Sequence, residues 1–367
     1  MSGGVDSSVA AALLAEQGHE VIGLSMQLYN VSEVSGGSGD RAFGSCCSID
    51  DLHDARRVAA ALRIPHYVLN FERQFDEQVV SNFVREYSAG RTPLPCAHCN
   101  SDLKFATLAD RAGGLGADAV ATGHYARVER DPVTGRHLLK RGVDARKDQA
   151  YFLFSLTPDQ LSRACFPVGD RDKEAVRAYA RLRRLPVADK PDSQEICFVP
   201  DNDYRAFVED RTSSDSKDGS IVDESGRVLG RHQGIHRFTV GQRKGLRLAT
   251  LPTGPAGSGR PGGSSTAPMY VLALKPAERQ VIVGPRQSLE RTTLTASGVN
   301  WMIDAPVAPM RITAQIRHRH QPAPAIVRAL GGGRAEVVFD TPQLAITPGQ
   351  AAVFYNDDVV LGGGWID

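Results

Sequence analysis

The stretch Ser2-Gly3-Gly4-Val5-Asp6-Ser7-Ser8 runs directly into Val9-Ala10-Ala11-Ala12-Leu13-Leu14-Ala15-Glu16-Gln17-Gly18. This junction constrains the fold more than any other feature of the chain. Ala and Leu are strong helix formers and Gly18 is a stop, so the second part predicts a helix. The first part is then a glycine-rich loop feeding a helix N-terminus. Glycines let backbone N–H groups approach an anion, the serines add hydroxyl donors, and the helix end adds partial positive charge. The loop suits a phosphate or pyrophosphate. No Lys follows the glycines, so this is not the Walker pattern. Asp6 sits inside the loop and would repel phosphate unless it helped to hold Mg²⁺. The plainer alternative is a serine-capped helix start.

The chain that follows alternates apolar runs with helical patterns. Glu20–Met26, His66–Asn70 and Asp118–Gly123 read as strands; Ile49–Leu62, Phe71–Tyr87 and Phe105–Leu115 read as helices. Such alternation implies βαβ units and a parallel sheet, with ligands bound beyond the strand C-terminal ends. That places residues 2–8, Met26 and Gly123-His124 on one rim. Asn30–Gly44 reads as a mobile loop. Val168–Leu185 reads as a helix whose Arg177, Arg181, Arg183 and Arg184 form a solvated basic face. From about residue 220 short β-rich runs bounded by glycines take over, among them Met269–Leu274, Met310–Arg317 and Gln350–Tyr355. They suggest small β domains, the last a barrel. Thr253–Ala267 is Gly/Ser/Pro-rich and reads as a disordered insertion. The fold expected is α/β, a Rossmann-like parallel-sheet domain over 1–203, then a small β-rich domain over 204–286 and a C-terminal β-barrel over 287–367.

Length and charge set outer bounds. The 367 residues allow two or three domains, and a net charge of +1 means that any nucleic-acid binding must use local patches. No stretch approaches 18 apolar residues and no signal peptide is evident, which predicts a cytoplasmic protein without a membrane partner. Six cysteines in such a chain point to catalysis, metal binding or inert burial rather than structural disulfides.

Two cysteine contexts stand out. Pro93-Leu94-Pro95-Cys96-Ala97-His98-Cys99-Asn100 holds a Cys-x-x-Cys after two prolines that keep the approach extended. Alone it is half a zinc site without its second half, and His98 reads either as a ligand or as polar loop surface. In Asp192–Val199, Cys197 lies between Ile196 and Phe198, as either a small buried hydrophobe or a reactive thiol. Cys46, Cys47 and Cys165 have no comparable setting and read as inert.

SGGVDSS resembles the signature of the PP-loop ATP pyrophosphatases, which cleave ATP between the α and β phosphates. With TPLPCAHCN, ATGHYA, KDQAYFL, DSQEICFV, GQRKGL and TPGQAAVFY following in order, nearly the whole chain resembles the bacterial tRNA-specific 2-thiouridylases. That family places a hydrophobic strand before the loop, so the central strand of the first domain is expected to be absent from the sequence, which begins at Met1.

The resemblance implies ATP held by Ser2, Gly3, Gly4, Val5, Asp6, Ser7, Ser8, Met26 and Gly123, with Mg²⁺ at Asp6; Met26 reads equally as a core strand residue. It implies Cys99 as nucleophile, Cys197 as persulfide carrier, and a transient Cys99–Cys197 disulfide. It assigns tRNA contact to Leu94, Pro95, Cys96, His124, Lys147, Asp148, Gln149, Arg317, His318 and Gln350. Arg317-His318-Arg319-His320 reads as a basic strand end on which Arg317 and Arg319 point the same way. The implied activity is ATP-dependent 2-thiolation of wobble uridine 34 of tRNA. The implied partners are tRNA and a sulfur donor, either a cysteine desulfurase or a relay protein, with the enzyme a monomer. Many members carry Asp where Cys96 stands, which opens an alternative: Cys96, Cys99 and Cys197 as ligands of a 4Fe-4S cluster. Two rivals from other classes are an amide-forming PP-loop ligase, which would need no paired cysteines, and a non-enzymatic tRNA-binding protein.

Overall fold

The computed structural model describes residues 1–28, 49–192, 196–212, 218–246, 248 and 268–367. The loop expected over 30–44, the insertion over 253–267, Cys46, Cys47 and Ser193–Glu195 lie outside the described residues.

Helix α1 spans Val5–Glu16 and so starts four residues earlier than the Ala-rich pattern suggests. Its first turn is Val5-Asp6-Ser7-Ser8, where an acidic residue is favoured by the helix dipole. The stretch Val9–Leu13 is buried throughout, because Ala and Leu leave the helix without a polar face. It packs with Val58, Val168, Val176 and Val187 into one apolar cluster. The flanking elements are α2 (Ile49–Leu62) and the helix Lys173–Leu182.

The parallel sheet comes in two pieces. Strand β1 (Gly23–Gln27) pairs in parallel with β2 (His66–Asn70), Gly23 opposite His66. Strand β3 shrinks to Val120–Ala121 and pairs in parallel with β6 (Ala164–Cys165), a strand that the sequence pattern does not announce. Among the described residues no ladder joins the two pairs; Leu24 and Val120 line the same cleft. Between β3 and β6 lies the hairpin β4–β5 (Ala126–Arg130, His137–Arg141), also unannounced.

The helical patterns over 71–87 and 105–115 are parts of longer runs containing wide turns. The first passes from Glu72–Phe75 through a π segment, Asp76–Val80, to Ser81–Ser88. The second begins at Pro95–His98, widens into a π segment over Cys99–Thr107, and ends as Leu108–Gly113. Pro95 suits a first helical turn because its missing N–H has no partner there. The Cys-x-x-Cys is therefore helical, and Cys99 opens the wide segment, a geometry often found at functional sites.

A four-stranded sheet follows in the order β8-β7-β10-β9, formed by β7 (Gly219–Asp223), β8 (Val228–His232), β9 (Tyr270–Lys275) and β10 (Gln280–Gly284). The last six strands are β11 (Glu290–Trp301), β12 (Met310–Gln315), β13 (Ala323–Gly331), β14 (Arg334–Leu344), β15 (Ala351–Asn356) and β16 (Val359–Ile366). They close into a barrel through β11–β16 pairing, so the expected C-terminal barrel is present. In β13 buried and exposed positions alternate strictly from Ala323 to Arg328, which puts Ala325 and Val327 in the barrel core. The hairpin β4–β5 extends this sheet, with Lys140 opposite Val359.

Candidate active site

One cleft of about 1540 Å³ runs from the glycine-rich loop to the barrel rim. Ser2, Gly4, Asp6, Met26, Leu94–Cys96, Gly123, Lys147–Gln149 and His318–Pro322 all line it.

At the loop, Gly4 caps α1 without side-chain help. The Ser8 hydroxyl donates to the Gly4 carbonyl at 2.8 Å and that of Ser7 to the same oxygen at 3.2 Å, while the Ser2 N–H donates to Ser7 Oγ at 3.2 Å. These bonds shape the loop, and the first-turn amides of α1 have no intrahelical acceptor, an arrangement that suits an anion. Gly3 has φ +71° and lies against the Asp51 carbonyl. A Cβ on Gly123 would come within 2.5 Å of Ser7 N and 2.6 Å of the Asp6 carbonyl carbon. Glycine is needed at 123 because the end of β3 touches the loop backbone itself.

Asp6 does not face the cleft alone. Lys173 Nζ donates to its two carboxylate oxygens at 2.7 and 2.9 Å, and the Tyr125 hydroxyl donates to Oδ1 at 2.8 Å. The same ammonium meets Asp192 Oδ1 at 2.8 Å, and Asp192 also takes Lys147 Nζ at 2.7 Å and Arg177 Nη2 at 2.8 Å. Desolvation by itself would raise the Asp192 pKa; the bonds from Lys147 and Lys173 outweigh it and bring it down to about 2. Burial, then the neighbouring Asp6 charge, pushes the Tyr125 phenol well above its ordinary value, so it stays a donor. The basic stretch is solvated at Arg181, Arg183 and Arg184, which are exposed, the first two pairing at the surface with Asp189 and Glu16; Arg177 departs from that expectation and turns in, half-buried, onto Asp192. Sequence reasoning missed Lys173, Tyr125 and Asp192. Asp192 opens a motif read only for its cysteine, and Lys173 is one more base in a basic helix.

Leu94 and Pro95 are buried and Cys96 is exposed, all three on the cleft wall. Cys99 and Cys197 are half-buried behind that wall, packed against the same apolar cluster, which includes Phe71, Phe75, Phe83 and Phe198. The fold thus draws the two cysteines, distant in sequence, onto one cluster. Asn100, unnoticed in the sequence, donates Nδ2 to the Phe152 carbonyl at 3.1 Å and accepts Lys104 Nζ at 3.1 Å. His98 is neither a ligand nor loose loop surface: its ring stacks on Trp365, and Nδ1 lies 3.1 Å from Asp102 Oδ2. Cys165 sits on β6 with its thiol pKa raised by burial, in keeping with an inert role. Among the described residues no group of three or more His, Cys, Asp or Glu could hold a metal. Cys96, Cys99 and Cys197 therefore do not assemble a cluster site.

The residues assigned to tRNA contact differ in placement. His124 Nδ1 is 2.7 Å from Thr122 Oγ1, and burial between Phe105 and Phe166, with the Lys104 charge, holds the imidazole neutral. Lys147 reaches the cleft but is paired with Asp192. The Asp148 carboxylate is turned inward onto Arg141 at 2.9 Å and onto the Gly142 and Ala150 N–H groups. Gln149 Oε1 accepts from the Tyr125 N–H. Strand β12 ends at Gln315, so Arg317–His320 form a turn and the alternation expected of a strand end does not apply. Gln315 Nε2 donates to the carbonyls of Arg317 and His318 at 3.1 and 2.8 Å and shapes that turn. Arg317 donates to the Leu344 carbonyl, and the His318 ring leans on Phe152 at 4.5 Å. Gln350 Nε2 donates to the carbonyls of Thr92 and Pro93.

Comparison with known proteins agrees with this layout. The family model described as tRNA methyl transferase HUP domain matches residues 1–201, the tRNA methyl transferase PRC-barrel domain matches 205–285, and the aminomethyltransferase beta-barrel domain matches 291–366. The chain is 50% identical to the tRNA-specific 2-thiouridylase MnmA of Geotalea uraniireducens over 100% of its own length and 93% of the relative's. It is 51% identical to that of Geobacter metallireducens, over 100% and 95%. With a HUP domain, a glycine-rich phosphate loop and half its residues shared along its entire length, the chain belongs to the tRNA-specific 2-thiouridylase family.

Proposed function

We propose that this chain is a tRNA-uridine 2-sulfurtransferase that replaces the C2 oxygen of wobble uridine 34 with sulfur. An amide-like carbonyl oxygen does not depart unaided; ATP, as Mg²⁺–ATP, supplies the adenylyl group that turns it into a leaving group. Ser2–Ser8 would cradle the phosphates with the α1 amides, and Met26 would meet the adenine edge across the cleft from Gly123. Asp6 is already held by Lys173 and Tyr125, so a Mg²⁺ ion taking an Asp6 oxygen would have to displace the ammonium. In this reading Asp6 fixes the loop.

The balanced sequence is as follows. The C2 oxygen attacks the α-phosphorus and pyrophosphate leaves. The terminal sulfur of a Cys197 persulfide attacks C2 and AMP leaves with the oxygen. The Cys99 thiolate then attacks Cys197 Sγ, which breaks the S–S bond, releases 2-thiouridine and leaves a Cys99–Cys197 disulfide. A dithiol reductant returns two electrons, and a persulfide-bearing donor protein reloads Cys197. The half-burial of both cysteines on one cluster supports this pairing. Leu94, Pro95, Cys96, His124, Lys147, Arg317 and His318 would meet the tRNA, His318 by stacking. Asp148, Gln149 and Gln350 serve by holding the segments around them. The chain works as a monomer in this scheme.

The observation that carries the reading is that the phosphate loop, Cys96 and the His318 turn line the same cleft. The test is nucleoside mass spectrometry after incubation with tRNA, ATP, Mg²⁺, a persulfide-bearing donor protein and a dithiol. We expect 2-thiouridine with one AMP and one pyrophosphate per product. Cys99→Ser and Cys197→Ser should each lower the rate by about 10³-fold or more, as for residues acting as one unit. Undiminished 2-thiouridine formation by both variants would overturn the two-cysteine chemistry, and absence of 2-thiouridine from the unsubstituted chain would overturn the sulfurtransferase reading.

A further inference from the structure

The turn carrying Cys96 and Cys99 is held largely from outside its own domain. The Thr92 N–H donates to the Pro348 carbonyl at 2.8 Å, and Gln350 Nε2 donates back to Thr92 O at 3.0 Å and Pro93 O at 3.3 Å. Between them Gly349, at φ +86°, presses against the same backbone; a Cβ there would come within 3.0 Å of Thr92 N and O. One turn further on, the His98 ring lies flat on the Trp365 indole, 4.6 Å between centroids and 3° between planes. Trp365 also meets Phe154 edge-on at 5.3 Å. In the barrel, Trp365 on β16 lies opposite Ala351 on β15, so residues 348–351 and 365 form one patch of the rim. The helix that this patch grips, Pro95–His98, has four residues and opens into a wide-turn segment at Cys99. These four residues are the first turn of a continuous helical run that ends at Gly113, so the contacts made at this turn bear directly on how the run begins and on the widening at Cys99.

We propose that Trp365, assisted by Gln350, is a positioning residue for Cys99: the barrel rim sets the pose of the turn that carries the nucleophile. The proposal rests on the reading of Cys99 as nucleophile. It assigns the barrel a second task beside holding RNA, that of orienting the thiol at 99 through the ring of its neighbour His98.

The experiment uses the full chain with Trp365→Leu, Trp365→Phe and Gln350→Ala. Trp365→Leu should lower kcat by about 10–100-fold, the cost of a misplacement of ångström size, while KM for tRNA changes by less than about threefold. Iodoacetamide labelling read by mass spectrometry supplies a measure that needs no catalysis. The labelling rate of Cys99 relative to Cys165 should change at least about fivefold, the low end of couplings between sites. Cys165 is the internal standard because it lies on β6, outside the turn that the patch grips. Trp365→Phe keeps an aromatic ring over His98 and should restore both quantities. Should Trp365→Leu lose its cooperative melting transition, Gln350→Ala is read in the same two ways, with a smaller shift in the same direction. Folded Trp365→Leu or Gln350→Ala protein with a wild-type labelling ratio overturns the proposal. Undiminished thiolation by Cys99→Ser would instead remove the nucleophile reading and leave the labelling result standing.

Discussion

The two sides of the cleft are built from different forces. At the phosphate loop, order comes from charge: Asp6, Lys173, Asp192, Lys147 and Arg177 form one connected set of ion pairs, with the Lys173 side chain only 10% exposed. At the Cys99 turn, order comes from neutral contacts: carbonyls met by Gln350 and Asn100, and a ring stacked on Trp365. Buried charge is costly when a partner is missing, whereas neutral contacts degrade gradually. The loop side should therefore fail abruptly on single substitutions and in acid, and the cysteine side should lose precision while staying folded.

The largest expected effect is on the charged side. Lys173→Met leaves Asp6 and Asp192 partly buried without their shared ammonium and should cost about 3–5 kcal/mol of stability, read by chemical denaturation. A loss under about 1 kcal/mol would show the network to be screened like surface pairs. On the neutral side, Asn300 donates Nδ2 to the carbonyls of Phe154 and Leu156 at 2.8 and 2.7 Å, tying the barrel to the segment after Phe152. Asn300→Ala strands those two acceptors and should cost about 1–3 kcal/mol while ATP-dependent pyrophosphate exchange persists.

Acid titration separates the two sides further. Asp192 titrates near 2 in the fold against 3.8 ordinarily, so it binds its proton more readily when unfolded. Its contribution is complete above the ordinary value and is lost as pH falls from about 4 towards 2. Asp192→Asn should flatten that part of the stability profile; an unchanged acid limb would place the sensitivity elsewhere. The smallest effect is expected from Lys140→Ala, which removes exposed-partner pairs to Glu129 and Asp358 and should cost less than about 1 kcal/mol, diminishing in high salt.

The contrast also explains what was legible in the sequence. The phosphate loop, the Cys-x-x-Cys turn and the Cys197 context are local, and each is written in consecutive residues with recognisable chemistry. The closed barrel was legible because glycine-bounded runs mark its strands. Lys173 was not, since an ion pair to residue 6 leaves no periodic trace around residue 173. The hairpin β4–β5 was missed because charged residues break any apolar alternation along Ala126–Arg130 and His137–Arg141, although the two strands pair locally with each other. Strand β6 has two residues, too few to produce a pattern. The stack of His98 on Trp365 was invisible for the same reason as Lys173: both partners look ordinary until the fold joins them.

The attachment of the hairpin to the barrel has a consequence for biosynthesis. Lys140 pairs with Val359, the Arg141 N–H donates to the Asp358 carbonyl at 2.8 Å, and Arg127 meets the Asp358 carboxylate at 2.6 Å. These partners lie more than two hundred residues after the hairpin in the chain. The hairpin that follows Gly123 and His124 must wait, with its outer edge unpaired, until β16 emerges. Closing so long a loop carries an entropic cost that the hairpin's own local pairing does not, so the seam to the barrel is the late-forming edge of the nucleotide end.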